Sequence, residues 1–459
     1  MTLLASKVVR VPLVSHEEVH KGMVRDAKGR TQGGTTNPSS RRLPARGPRS
    51  NDKKTPVPWW RVLGPGIVSG ASDNDPTTVA SLAVIGSTTV YGLSWLVLLV
   101  IPMLAIVQAI SAQVGMVMRC GLEDAVRTRY GKGWALLALI SVLIVNLMTL
   151  AADLEGGGAA LSLLLHLDYR WFVIPLATAA GLMLVFGNYA TFQRVLIYLP
   201  LVFLSYIAAA FLAKPHWTDV LRNSLIPHFS FNGPMIAGAI ALLGTTLTAY
   251  SYIWETEEMS EETAPLSQLG LVQVDSTLGT IVAGASFWFI LIATGATLGV
   301  NHKVVQTAED AATALTPFAG HWASLLFGVG LLASALIAIP VLTATSSYVV
   351  SEMFGWGGNI EKTFRRARKF YLTLVAVLAV GSAIALAGVT PIKLLFASSI
   401  AGGLATPITL TMMMLIAGNH SKMKRKPLNP ILLGSGWVVT AVVTAAAAIF
   451  LFQTLTGKN

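Results

Sequence analysis

Long apolar stretches recur along this chain, separated by short polar or charged intervals. Eleven of them stand out, at roughly 62–85, 91–118, 134–165, 171–187, 193–213, 233–254, 277–300, 321–352, 370–388, 391–417 and 429–453. A helix needs about 20 mostly apolar residues to cross the hydrocarbon core of a bilayer. Only helices and closed barrels satisfy their backbone in lipid. The pattern therefore predicts an all-α polytopic membrane protein with about 11 transmembrane helices. Trp59, Trp60, Trp95, Trp134, Trp171, Trp288 and Trp437 fall mostly near segment ends, where indoles anchor at the interface.

The polar positions inside the apolar segments carry more information than the segments themselves. Asp73-Asn74-Asp75-Pro76-Thr77-Thr78 sits within the first. A charge at mid-membrane costs roughly 2.5–3.5 kcal/mol on insertion scales, and the proline removes a backbone hydrogen bond. The reading is a broken helix with a polar site at the break, where carboxylate, hydroxyl and carbonyl oxygens converge on a cation. Hard divalent ions take such ligands, and Mg2+ keeps several waters. The plainer alternative is a kink with internally paired acids.

Gly244-Thr245-Thr246-Leu247-Thr248-Ala249-Tyr250-Ser251-Tyr252 is the second such stretch. It reads either as hydroxyl packing glue or as a second break opposite the first. Interrupted first and sixth segments, five apart, are what an inverted five-helix repeat gives. Asp153 and Glu155 in the third segment read as an ion or proton relay, or as a solvated pair near the membrane surface. Asp275 reads as the N-cap of the seventh helix. Glu255, Glu257, Glu258, Glu261 and Glu262 read as a solvated loop, or as an inner vestibule that gathers cations.

Composition agrees with a membrane chain. Of 459 residues 53% are hydrophobic and only 12% charged, against about 25% charged in a soluble domain. A large soluble enzyme is excluded. The single Cys120 excludes an intrachain disulfide and a cysteine-based metal cluster. The net charge of +11 is informative through its placement. Residues 1–58 form a basic tail, read as disordered, cytoplasmic and in contact with anionic lipid rather than nucleic acid. No apolar stretch of signal-peptide type occurs in it. With the tail inside, Arg119, Arg127, Arg129 and Lys132, then Arg194, then Lys362, Arg365, Arg366, Arg368 and Lys369, then Lys422, Lys424, Arg425 and Lys426 all fall on the cytoplasmic side. That asymmetry predicts a cytoplasmic N-terminus and an odd number of spans.

Taken together, these residues resemble the NRAMP family of divalent-metal transporters. Gly64-Pro65 precedes Asp75-Pro76-Thr77-Thr78 at a spacing similar to that family's first-helix motif. Gln108 to Gly115, Ala152-Asp153-Leu154, Val274-Asp275-Ser276, Leu332-Ala333-Ser334 and Glu352 are similar in kind. The resemblance implies a LeuT-like fold of two inverted five-helix repeats, alternating access, and a metal site between helices one and six. It also exposes departures. Thr78 stands where the family has asparagine, Thr248-Ala249-Tyr250 where it has Met-Pro-His, Gly156 where it has an acid, and Ser399 where it has a glutamine in helix ten. A hydroxyl in place of a thioether hardens the site. The pattern is similar to the NRAMP-related branch that includes magnesium transporters.

The expectations follow. Residues 59–459 form the transporter domain, with one repeat at about 62–213, a second at about 233–417, and an extra helix at about 429–453. Asp75 is the principal anionic ligand; Asp73 and Asn74 bind directly or hold waters; Thr78, Thr248 and the Thr245 carbonyl supply neutral oxygen. Asp153 and Glu155 form a relay, and Glu255, Glu257 and Glu258 an inner vestibule. The substrate is Mg2+ or Mn2+, with Fe2+ as a further candidate, and there is no cofactor and no enzymatic activity. The protein is expected in the plasma (inner) membrane. The alternatives are a LeuT-fold symporter for another small solute, and a cation channel.

Overall fold

The computed structural model describes residues 74–186, 205–261, 265–358, 360, 362, 364–419, 421 and 423–456. The basic tail, Gly64-Pro65, Asp73, Arg194, Glu262 and the first part of the fifth segment lie outside the described residues.

Sixteen α-helices are described: α1 (Pro76–Thr89), α2 (Ser94–Met118), α3 (Leu122–Tyr130), α4 (Lys132–Leu165), α5 (Arg170–Phe186), α6 (Ser205–Leu212), α7 (Trp217–Leu225), α8 (Gly233–Thr246), α9 (Ala249–Glu261), α10 (Leu269–Thr297), α11 (Ala308–Ala312), α12 (Thr316–Ala319), α13 (Ala323–Phe354), α14 (Arg368–Ala385), α15 (Pro391–Ala417) and α16 (Pro430–Thr456). Local sequence explains their starts. Proline stands in the first turn of α1, α8 and α15, where its missing N–H costs nothing and its φ suits a helix. Asn232 caps α8 by accepting from Met235 N at 2.9 Å.

Eight described helical stretches are long and apolar enough to cross a membrane, and α5 is a shorter apolar helix. The broken stretch 233–261 is the centre of the bundle: 89% of its most apolar window is buried, against 22% for α16. So α16 lies at the periphery, with Ile431, Val438 and Phe452 exposed. Around the centre, α4 packs along α13 and α15, α8 along α15, and α10 along α2 and α1. Close approach of α8 to α15 depends on glycine. A Cβ at Gly244 would overlap the backbone of Ser399 and Gly403, and one at Gly403 the carbonyl of Ile240.

The basic intervals gather at one end. Tyr130 reaches the Leu415 carbonyl, Gln113 donates to the Lys426 carbonyl, and Glu352 accepts from Gly121 N. At the opposite end Tyr169 bonds to the Val389 carbonyl, and Val305 N to Ser87.

Two expectations fail. Asp275 does not cap the seventh helix, because that helix starts at Leu269 and Asp275 is buried inside it. The apolar residues from Leu269 to Val274 extend the helix past the charge. Residues 255–261 are not a solvated loop either. They are helical, in α9, with Glu255 and Glu257 buried.

Candidate cation site

The site is built where the start of α1 faces an interruption between α8 and α9. Asp75 is the N-cap of α1, its Oδ1 accepting from Thr78 N at 2.6 Å. That bond satisfies one of the free N–H groups of a helix start. The positive end of the α1 dipole further favours a carboxylate there. The interruption is Leu247-Thr248, between α8 and α9. Its freed backbone is not orphaned: Thr406 of α15 donates to the Leu247 carbonyl at 3.2 Å. The hydroxyl-rich stretch is therefore a helix break as well as packing glue.

Side chains link the α1 start to this interruption directly. Tyr250, on the first turn of α9, donates to Asp75 Oδ2 at 2.7 Å. Thr78 and Thr245 share a hydroxyl–hydroxyl hydrogen bond of 2.9 Å. Ser81 and Ser399 share another of 2.7 Å, which ties α1 to α15. Ser334 of α13 donates to the Asn74 carbonyl. Asn74, Asp75, Thr78, Thr245 and Thr248 are all buried.

Asp153 joins this group. Its Oδ1 accepts from Thr77 at 2.7 Å, while its Oδ2 is buried without a hydrogen-bond partner. Gly156 makes the approach feasible, since a Cβ there would press on the Pro76 ring. Glu155 is fully buried and neither of its carboxylate oxygens has a hydrogen-bond partner. Both acids thus lie deep in the 34-residue α4, which removes the reading of a solvated surface pair. Asp75 and Asp153 come together through Thr77 and the α1 start; Glu155 is not hydrogen-bonded to either.

Among the described residues no group of three or more His, Cys, Asp or Glu is placed to hold a metal. A cation here relies on carboxylate together with hydroxyl, amide and carbonyl oxygen. Tyr250, Ser334 and Thr77 are members that sequence reasoning did not assign. All three lay in stretches singled out in the sequence, Thr77 and Tyr250 in the two polar stretches and Ser334 in a family-like motif, with no ligand role attached. Thr248 lies in the break itself. Glu255 faces Ser276 of α10, with a weak contact of 3.5 Å. Glu258 is half-buried on α9.

Outside the spans, Glu123 in α3 is an unusual acid. Burial pushes its carboxyl up to about 8; the charge of Glu352 adds to this and Arg127 opposes it. It stands in the first turn of a helix, where the dipole favours ionisation, so desolvation outweighs the dipole.

Comparison with known proteins agrees with this architecture. The divalent metal cation transporter MntH of Caldanaerobacter subterraneus subsp. tengcongensis is 25% identical over 407 residues, covering 87% of this chain and 94% of the relative. Its counterpart from Clostridium acetobutylicum is 26% identical over 424 residues, covering 87% and 92%. Among solved structures, a manganese transporter of Eremococcus coleocola superposes with a TM-score of 0.65 at 17% identity, covering 87% of this chain and 89% of that one. MhsT in complex with L-phenylalanine superposes at 0.58 and 13% identity, covering 84% and 97%. These likenesses speak to the fold, which is all-α and LeuT-like. Residues 66–453 match the family model described as natural resistance-associated macrophage protein-like, and the chain belongs to the Nramp family.

Proposed function

We propose that this protein is a secondary transporter that carries divalent cations, Mn2+ and Mg2+ with Fe2+ as a further substrate, across a membrane by alternating access. Curated relatives named as divalent metal cation transporters and a manganese transporter of similar fold support the class of substrate. The fold does not choose it, because MhsT with L-phenylalanine shares the architecture. The site chooses it. The observation that carries the reading is Asp75 at the α1 start, facing Tyr250 and the Thr78–Thr245 pair across the break.

Asp75 is the anionic ligand in this reading. Asp73 and Asn74 bind directly or through water, and Thr78, Thr245 and Thr248 supply neutral oxygen. These groups present oxygen and no sulfur, and hard cations prefer that set. Tyr250 donates to Asp75 Oδ2, so a cation bound at that oxygen displaces the phenol. Asp153 and Glu155 relay protons or ions beside the site. Glu255, Glu257 and Glu258 draw cations toward the inner vestibule. The tail of 1–58 and the basic end of the bundle face the cytoplasm and touch anionic lipid, in the plasma membrane. Repeat one runs over about 62–213 and repeat two over about 233–417, with α16 as the added helix.

Uptake into proteoliposomes tests this. Asp75→Ala should lower Mn2+ and Mg2+ uptake by about 100-fold, the scale of losing a charged ligand worth 3 kcal/mol. Wild-type rates in that variant would sink the assignment. Conductance without saturation would favour a channel instead.

A further inference from the structure

At the basic end of the bundle, a cavity of about 390 Å³ opens between the last turns of α9 and α13 and the start of α3. Glu257 lines it from α9 and Glu352 from α13. Glu352 accepts from Gly121 N at 2.9 Å and from Asp124 N at 3.2 Å. It thereby closes the N-terminus of α3, which has no side-chain cap of its own.

Glu257 is satisfied less fully, through a side-chain hydrogen bond with Glu352 alone. It is 4% exposed, and its Oε1 has no hydrogen-bond partner. Its carboxyl faces that of Glu352. A Cβ added to Gly121 would overlap Oε1 of Glu257 and both oxygens of Glu352. Three carboxylate oxygens thus converge over one glycine. Two acids buried this closely repel each other unless a proton or a cation lies between them.

The rest of the lining sets the charge. Asp124 and Glu261 add two acids; Arg127 and Lys362 add two cations. Arg127 is engaged by Asp124 at 2.5 Å, and Lys362 donates to the Gly357 carbonyl. Four carboxyl groups against two cationic groups give the lining an acidic excess that a bound cation would offset. The oxygen-only convergence and room for water suit a hard divalent cation.

We propose that Glu257 and Glu352 form a second divalent-cation site, separate from Asp75. Glu257 lies seven residues beyond Tyr250, about 10 Å along α9. The second site therefore does not share ligands with the first. A cation bound there ties α9, which the break separates from α8, to α13 and to the turn before α3.

The test counts Mn2+ bound to full-length protein purified in detergent, by electron paramagnetic resonance with Mn2+ as the only added metal. Wild type should bind two Mn2+ per chain, and Asp75→Ala should retain one. Adding Glu257→Gln or Glu352→Gln to Asp75→Ala should weaken that remaining ion roughly tenfold or more. One Mn2+ per wild-type chain that Asp75→Ala abolishes and Glu257→Gln leaves in place overturns the second site. Unchanged binding in both double variants overturns it too. Two Mn2+ of which Asp75→Ala removes none, with one lost in Glu257→Gln, would contradict the central reading and uphold this one.

Discussion

Asp75, which faces α9, and Glu257, which lies on it, are both buried acids, yet their surroundings differ in kind. Each oxygen of Asp75 has a neutral donor, from Thr78 N and from Tyr250, and a helix N-terminus lies behind it. That carboxylate is tolerable without a metal. Glu257 has an oxygen with no donor and a second carboxylate opposite. It needs a proton or a cation to be tolerable. The difference bears on what each region can do. A transported ion must leave as well as enter, so binding must be strong enough for entry and weak enough for exit; in the proposed reading the donors on Asp75 compete with the ion, whereas the carboxyls of Glu257 and Glu352 face each other.

The comparison can be broken at its packing first. Gly244 meets backbone of α15, which cannot give, whereas Gly121 meets carboxylate tips, which can swing aside. Gly244→Ala should therefore lose most of the monodisperse protein on size exclusion, and Gly121→Ala should keep it. Equal yields would mean that the two glycines do not differ as described.

The next largest effect concerns Tyr250. Removing its hydroxyl leaves Asp75 Oδ2 without a competitor for the cation. A hydrogen bond to a charged group is worth roughly 1.5–3 kcal/mol, so Tyr250→Phe should tighten Mn2+ by about tenfold in calorimetric titration. Weaker binding would make the phenol a ligand rather than a competitor. A smaller change should follow Thr248→Met. A thioether in the break should raise the preference for Mn2+ over Mg2+ by roughly several-fold in competition uptake. An unaltered ratio would show that position 248 does not set selectivity.

The smallest effect tests the acid beside the end cavity. Glu123 titrates near its ordinary 4.5 when unfolded and near 8 when folded. Between those values the folded state holds the extra proton. Its stabilising contribution is complete below about 4.5 and is lost as pH rises through about 8. Glu123→Gln, always neutral, should melt with wild type near pH 4.5. Near pH 9 it should melt about 2–4 °C higher. A lower melting temperature at the alkaline end would reverse the assigned sign.

Much of the fold was legible in the apolar pattern, because a bilayer imposes one length on every span. The break between α8 and α9 was legible as well, since the threonine run of 245–248 is costly inside lipid unless it does something, and Asp75-Pro76 marked the start of α1. The bond from Tyr250 to Asp75 was not. It joins residues 175 positions apart, and only the packing of α1 against α8 and α9 brings them together. Glu257 was misjudged for a related reason. Five acids between 255 and 262 suggest water, but α9 turns two of them inward against α10 and α13. Asp275 misled in the opposite direction, as a charge that marks no boundary because the apolar residues before it continue the helix. Glu352 belonged to a recognisable stretch, yet its partner Gly121 carries no side chain to advertise a site.

The central claim is that a divalent cation binds at Asp75 in place of the Tyr250 hydroxyl. A crystal structure of the wild-type protein with Mn2+, read through the anomalous signal of manganese, tests it most directly. The account predicts a peak at Asp75 Oδ2 between the α1 start and the α8–α9 break, with Tyr250 turned away. Saturating Mn2+ with no peak there, and the Tyr250–Asp75 hydrogen bond intact, would contradict it.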